Sequence, residues 1–293
     1  MTGAGQGLGR SYALELGRRG AKVVVNDVAS VDGRPAAEVV AQAIRAEGGA
    51  AVADVHSVAD PAAAVRIVDT ARDAFGPVDV VVSNAGTTHF TSFEETDGDL
   101  LRAQLAVHLE GPFAAVQCAY ADMVQRRFGR IVLISSATGL FGRAAGAAYA
   151  AAKASLVGLM NVVAIEGQSH GVLVNIVLPV ARTTIADTAT RATGRDAAVP
   201  TSAPADPRLA PPFVTPLVVY LASEHCQSTH AIYSAVAGRY ARVFVATGAG
   251  WRSTNDRPPS VEALAQHWDK VNEATAFAFP ASVAEEVANA TSA

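Results

Sequence analysis

The feature that most constrains this chain is a rhythm. Short β-branched apolar runs alternate with longer Ala-rich stretches of helical character. Strands are expected at residues 22–27, 50–54, 78–84, 130–135 and 172–177. Helices are expected at about 10–19, 35–47, 61–75, 97–127 and 147–169. The strand runs are almost continuously apolar, as strands buried on both faces are. Such alternation builds βαβ units around a parallel sheet. A further helix near 211–223 and strand-like segments at 231–236 and 241–246 extend the pattern.

Half of the 293 residues are hydrophobic and 17% are charged, enough for a sizeable core and too few charges for global disorder. The expected organisation is one α/β domain over 1–250 and a C-terminal extension over 251–293. Within the domain, residues 180–212 hold five prolines and little periodicity. A loop that long reads as a substrate lid or as disorder. Residues 252–259 read as a linker, after which Ser260 is placed to cap a short helix at 261–271, with Trp268 as a docking anchor.

A net charge of −4 argues against a nucleic-acid surface, and the Arg126, Arg127 and Arg130 cluster reads as a solvated helix end. Cys118 and Cys226 are too few for a disulfide framework and have no partner at metal-ligand spacing, so a reducing compartment and no metal are expected. No apolar run of about 18 residues is evident, hence no membrane span is expected. The Gly-rich start lacks a signal-peptide layout, and Thr291-Ser292-Ala293 is not a peroxisomal address, so a cytoplasmic protein is expected.

Gly3, Gly5, Gly7 and Gly9, interleaved with Gln6 and Leu8, form a T-G-A-G-Q-G-L-G stretch opening a helix. Glycines there let the backbone approach a pyrophosphate, while the helix N-terminus supplies amide donors and a favourable dipole. Asp27 ends the next strand, where a carboxylate accepts hydrogen bonds from ribose hydroxyls and repels a 2′-phosphate. With no Lys or Arg among the glycines, NAD is the expected cofactor. The expected fold is thus a three-layer Rossmann-type doubly wound parallel sheet. A strand should precede the glycine turn, yet only Met1 does, so the first central strand reads as truncated. The expectation is that the chain as written starts late, with a valine start codon inside that strand read as Met1.

Tyr149 and Lys153 are four residues apart in a helical pattern and share a face. A tyrosine of ordinary pKa, about 10, is a poor base at neutral pH, and a nearby ammonium favours its phenolate. Ser136 follows a strand, and strand ends are where ligands sit in open α/β sheets.

These motifs, with N-A-G at 84–86, I-S-S at 134–136 and Y-A-A-A-K at 149–153, resemble the short-chain dehydrogenase/reductase family over roughly residues 1–250. The resemblance implies that Tyr149 is the catalytic acid/base, that Ser136 holds the reacting oxygen, and that Lys153 binds the nicotinamide ribose and lowers the tyrosine pKa. It further implies that Asp54 and Val55 hold the adenine. Asn84, Ala85 and Gly86 would pass beside the cofactor, and residues from Pro179 to Thr184, Thr183 among them, beside the nicotinamide amide. Where the family carries a fourth catalytic residue, an Asn, this chain has His108, for which a relay or helix-shaping role is expected. Pro179-Val180 replaces the family's usual P-G.

The motifs A-K-V-V-V-N-D at 21–27, V-H-L-E-G at 107–111, A-I-E-G at 164–167 and G-A-G-W at 248–251 are similar to one branch. That branch is the (3R)-hydroxyacyl-CoA dehydrogenase domain of the peroxisomal multifunctional enzyme and its bacterial relatives. The implied reaction is oxidation of a 3-hydroxyacyl-CoA to the 3-ketoacyl-CoA. The alternatives are a dehydrogenase of free steroid or other secondary alcohols, and a non-catalytic dinucleotide-binding subunit. The Ala-rich helix at 144–154 suits close packing against a symmetry mate, so a homodimer or homotetramer is expected.

Overall fold

The computed structural model describes residues 1–182, 206–253 and 258–291. The chain forms two compact units, Met1–Arg242 and Val243–Ala293. The first is built on parallel strands. Strand β1 (Lys22–Asn26) pairs with β4 (Ala50–Asp54). Strands β5 (Val80–Ser83), β6 (Gly129–Ile134), β7 (Val172–Val180), β8 (Ala231–Val236) and β9 (Arg239–Val243) form a second sheet in that order. The β5–β6, β6–β7 and β7–β8 pairs are all parallel. Every residue of β6 is buried, including Arg130, which is therefore not part of the solvated helix end expected for it; its Nε donates to the Ser223 carbonyl at 3.0 Å. β8 turns into β9 through Ala237 and Gly238, both at positive φ, which matches a two-residue hairpin to the twist of its strands.

Between β1 and β5 lies the place of the expected first strand, and Met1 and Thr2 bridge it. The Met1 amine donates to the Val24 carbonyl at 3.0 Å, and the Met1 carbonyl accepts from the Asn26 amide at 3.0 Å. On the other side the Thr2 amide donates to the Val82 carbonyl at 3.1 Å. Met1 also packs against two core clusters, one centred on Tyr12, Val132 and Val177, the other on Val25, Val40 and Ile44.

Helices cover both faces of the sheet. One layer holds α1 (Gly7–Arg18), α2 (Ala36–Ala46) and α8 (Thr215–Ala222). The other holds α3 (Pro61–Phe75), α4 (Gly98–Leu105), α5 (Gly111–Arg126) and α7 (Ala147–Gly167). A short α6 (Ala137–Phe141) follows β6. The start of α3 follows from its sequence: Pro61 has no amide to lose at the first turn, and the Asp60 carboxylate accepts from the Ala62 amide at 2.9 Å.

Three details depart from the sequence expectation. The single helix expected at 97–127 is interrupted by a π-helical turn, Ala106–Glu110, which separates α4 from α5 and carries His108 into the interior. A two-residue hairpin, β2 (Ser30–Val31) with β3 (Arg34–Pro35), precedes α2. Third, Ala147–His170, comprising α7 and the turn after it, is long and apolar enough by composition to cross a membrane, with mean hydropathy 1.5. Single-residue reading missed that stretch because Lys153 and Glu166 interrupt it. One stripe, Ala148, Ala152, Leu156, Met160 and Ala164, is buried, and the helix packs on β7.

In the second unit, β10 (Thr247–Gly248) pairs antiparallel with β11 (Phe277–Ala278). The Ser260 hydroxyl accepts from the Ala263 amide at 3.1 Å, capping α9 (Val261–Gln266) as expected. Two further helices follow, α10 (Trp268–Val271) and α11 (Val283–Thr291). Trp268 is 54% exposed and is not a buried anchor. The tryptophan that packs is Trp251, stacked on His267 at 4.4 Å.

Candidate active site

The glycine turn is shaped by close approach. Gly3 sits at φ +60°, and a Cβ there would lie 2.6 Å from Ala85 Cα. A Cβ on Gly9 would lie 1.9 Å from the Gly3 carbonyl oxygen. Gln6 is the N-cap of α1, extended, with no side-chain bond to the first turn, so the amides there keep their donor capacity. Leu8 turns its side chain into the core. Gly7 begins the helix at φ +52°. Free amides at the positive end of a helix that opens on glycine are what a pyrophosphate needs.

Asp27 tethers this turn. Its Oδ2 accepts from the Gly5 amide at 2.9 Å and its Oδ1 from the Ala29 amide at 2.9 Å, leaving lone pairs on both oxygens. Asp54 is different. Its carboxylate accepts from Asn26 Nδ2, the His56 amide, His56 Nδ1 and Thr70 Oγ1, at 2.8 to 3.0 Å. Four donors fill a carboxylate, so any contact of Asp54 with an adenine is left to its backbone. Val28 and Val55 stand beside these two acids, 65% and 56% exposed. Pro179 lies in β7 opposite Ala235, and Thr183 and Thr184 lie outside the described residues.

The N-A-G segment joins the turn to the interior. Asn84 Nδ2 donates to the Gly3 carbonyl at 2.8 Å, and the Asn84 and Ala85 amides both donate to Thr2 Oγ1 at 3.1 Å. Gly86 leaves room for an imidazole, since a Cβ there would meet His108 Cε1 at 2.7 Å.

Ser136 lies two residues past the end of β6 and caps α6, its hydroxyl accepting from the Thr138 amide at 3.2 Å. Tyr149 and Lys153 come from successive turns of α7. The Lys153 ammonium donates to the Ile134 carbonyl at 2.8 Å and lies 5.9 Å from the Tyr149 ring centroid. The His108 ring stands edge-on to the Tyr149 ring at 5.3 Å, with Nε2 2.8 Å from the Thr87 carbonyl. If Nε2 carries the proton, Nδ1 is a buried acceptor without a partner among the described residues. Burial, followed by the Lys153 charge, pushes His108 far below its usual range, so the ring is neutral.

The Tyr149 hydroxyl differs from expectation. Burial raises its pKa and outweighs the two groups that lower it, the Ser136 hydroxyl and the Arg143 guanidinium. Lys153 is not among the groups that lower it, and burial pushes the lysine itself down to about 7. Two neighbours went unread in the sequence. Phe90 packs against the Tyr149 ring at 5.8 Å, and Arg143 stacks on Phe90 at 4.3 Å. The available signal was that Arg143 is the one cation between Ser136 and Tyr149. A separate concavity, lined by Arg127, Arg130 and Leu173 among others, lies at the opposite ends of β6 and β7. Ligands in open α/β sheets bind at the C-terminal strand ends, where Ser136 sits.

The depressed Lys153 gives a signed pH dependence. Between about pH 7 and 10.5 the unfolded chain holds a proton on this lysine that the folded chain has lost. Stability therefore rises with pH across that window, by up to about 1.4 kcal/mol per pH unit from this group. The buried Met1 amine, pushed down to about 6, adds the same sign at lower pH. Urea unfolding from pH 7 to 9.5 should show a flatter rise for Lys153→Met than for the parent chain. Equal slopes would contradict the burial argument.

The profile of the short chain dehydrogenase family matches residues 1–194. The chain is 40% identical to a short-chain type dehydrogenase/reductase of Mycobacterium tuberculosis, over 93% of each protein. It is 37% identical to peroxisomal multifunctional enzyme type 2 of Drosophila melanogaster over 97% of this chain, and spans 46% of that longer protein. The full-length fly enzyme superposes with a TM-score of 0.81 at 31% identity, over 99% of this chain and 47% of the fly chain. A short chain dehydrogenase from Mycobacterium avium superposes with a TM-score of 0.78 at 34% identity, over 93% of this chain and 94% of its own. The chain belongs to the short-chain dehydrogenase family of oxidoreductases.

Proposed function

We propose that this chain is an NAD-dependent dehydrogenase that interconverts a secondary alcohol and a ketone, with a 3-hydroxyacyl-CoA and its 3-ketoacyl-CoA as the substrate pair. The observation that carries the reading is convergence. Ser136 just past the end of β6, Tyr149 and Lys153 on α7, and His108 in the π turn meet beside the glycine turn that opens α1. In family terms a bound nicotinamide supplies the hydride acceptor or donor. The protein's own task is to hold an oxygen and move a proton.

Tyr149 does the proton work. Raised by burial, its hydroxyl is protonated at neutral pH and suited to donate to a ketone oxygen as hydride reaches the carbon. The oxidation direction needs the deprotonated form: the Tyr149 phenolate takes the alcohol O–H proton while the carbon gives up hydride. Ser136 holds the same oxygen. Lys153, anchored on the Ile134 carbonyl, stands one helical turn behind Tyr149 to balance the phenolate charge and contact the ribose. Neutral His108 fixes the Tyr149 ring from its edge. Asp27 keeps lone pairs for ribose hydroxyls and sets a negative charge against a 2′-phosphate, which supports NAD over NADP.

The V-H-L-E-G, A-I-E-G and G-A-G-W motifs support the acyl-CoA choice, as does the likeness to the fly enzyme along nearly the whole chain. A second copy of this chain suits the uncovered side of α5 and α7. Phe113, Val162 and Ile165 are about half exposed there, and Gly158 has open space where a side chain would be. Such an apolar surface on a helix marks an interaction site. Sedimentation equilibrium should return a dimer or tetramer mass, and a monomer at micromolar concentration would refute that assembly.

Tyr149→Phe keeps the ring and its packing and removes only the hydroxyl. Turnover of a 3-ketoacyl-CoA should fall by at least about a hundredfold while NAD affinity stays within a factor of a few. A variant retaining most of its turnover would overturn the assignment.

A further inference from the structure

Arg143 lies between Ser136 and Tyr149 in sequence and beside Tyr149 in space. Its guanidinium carbon stacks 4.3 Å from the Phe90 ring centroid, and that ring packs 5.8 Å from the Tyr149 ring. The backbone locks this arrangement. The Thr91 amide donates to the Ala145 carbonyl at 2.9 Å, tying the Phe90 segment to the loop before α7, where Ala145 sits at φ +59°. A Cβ on Gly146 would lie 3.4 Å from Phe90 Cε1, so the loop is already close-packed against the platform.

The guanidinium is nevertheless incomplete. Its Nη2 is shielded from solvent and has no hydrogen-bond partner among the described residues. Arginine stays charged at any working pH, and a buried charged donor without an acceptor is costly to keep. Buried polar atoms of this kind are ordinarily satisfied, and an exception calls for a missing partner. The partner sought is an acceptor oxygen, matched to a planar fork held flat on an aromatic face. The same charge acts on the Tyr149 hydroxyl, lowering its pKa.

We propose that Arg143 is a specificity-determining residue that donates to an acyl oxygen carried by the substrate close to the reacting carbon. This inference rests on the dehydrogenase reading of Tyr149. Ser136 and Tyr149 take the oxygen on the carbon that changes oxidation state. Arg143 takes a second oxygen, that of a thioester carbonyl or of a free carboxylate. A substrate lacking the second oxygen leaves the donor unsatisfied and is discriminated against, as sites built around a polar group reject analogues without it.

The test is steady-state reduction with NADH of three ketones: acetoacetyl-CoA, acetoacetate and butanone. The parent chain is compared with Arg143→Met and Arg143→Lys, and circular dichroism and NADH affinity serve as checks on folding. The readout is the ratio of kcat/KM for an oxygen-bearing ketone to that for butanone. In Arg143→Met this ratio should fall about tenfold or more, and Arg143→Lys should recover part of it. A fall confined to acetoacetyl-CoA identifies the thioester as the partner, and one confined to acetoacetate identifies the carboxylate. An unchanged ratio in a folded variant overturns the Arg143 proposal while leaving the dehydrogenase reading in place. No turnover of any of the three by the parent chain overturns the dehydrogenase reading, and this proposal with it.

Discussion

The first unit depends on a clamp made by its first five residues. Met1 and Thr2 hydrogen-bond to β1 on one side and β5 on the other, and the two sheets meet through them. The same segment then becomes the glycine turn. Asn84 ties the turn to the end of β5 through the Gly3 carbonyl, and Asp27 ties it to the end of β1 through the Gly5 amide. The elements that join the sheets therefore also shape the cradle. A disturbance of the sheet seam is felt directly at the site.

Burial sets the chemistry around Tyr149. The tyrosine rises, the lysine falls and the histidine is held neutral, each chiefly because water has been removed from its charged form. The tyrosine and lysine pKa values start close together and are driven apart, so burial favours the neutral phenol and the neutral amine side by side. Arg143 and Ser136 act against the rise at Tyr149. The pocket is thus poised by the contest between desolvation and two nearby donors rather than by one cation.

Much of this was legible in the sequence because buried parallel strands are written as unbroken apolar runs. The five main strands lie within a few residues of where those runs predict them, and Ser136, Tyr149, His108 and the glycine turn come together in space. What was not legible depended on tertiary context. The π turn at Ala106–Glu110 leaves no mark in a 3.6-residue pattern, because it answers to the packing of His108 against Gly86 and Tyr149. The pKa of Tyr149 could not be read from a Tyr–Lys spacing, since spacing carries no information on solvent. The carboxylate of Asp54 looked free in sequence and is saturated by Asn26, His56 and Thr70 from three other places in the chain. Arg143 was overlooked because a lone cation in a loop has no periodicity to betray it.

Asp27 and the glycine turn are proposed to take NAD in preference to NADP. Calorimetric titration of each dinucleotide into the full chain, and into Asp27→Asn, tests it without requiring a substrate. The expected result is saturable binding of NAD, NADP weaker by about tenfold or more, and a narrowed gap in the variant. Equal affinities in the parent chain, or no binding by a folded protein, would contradict it.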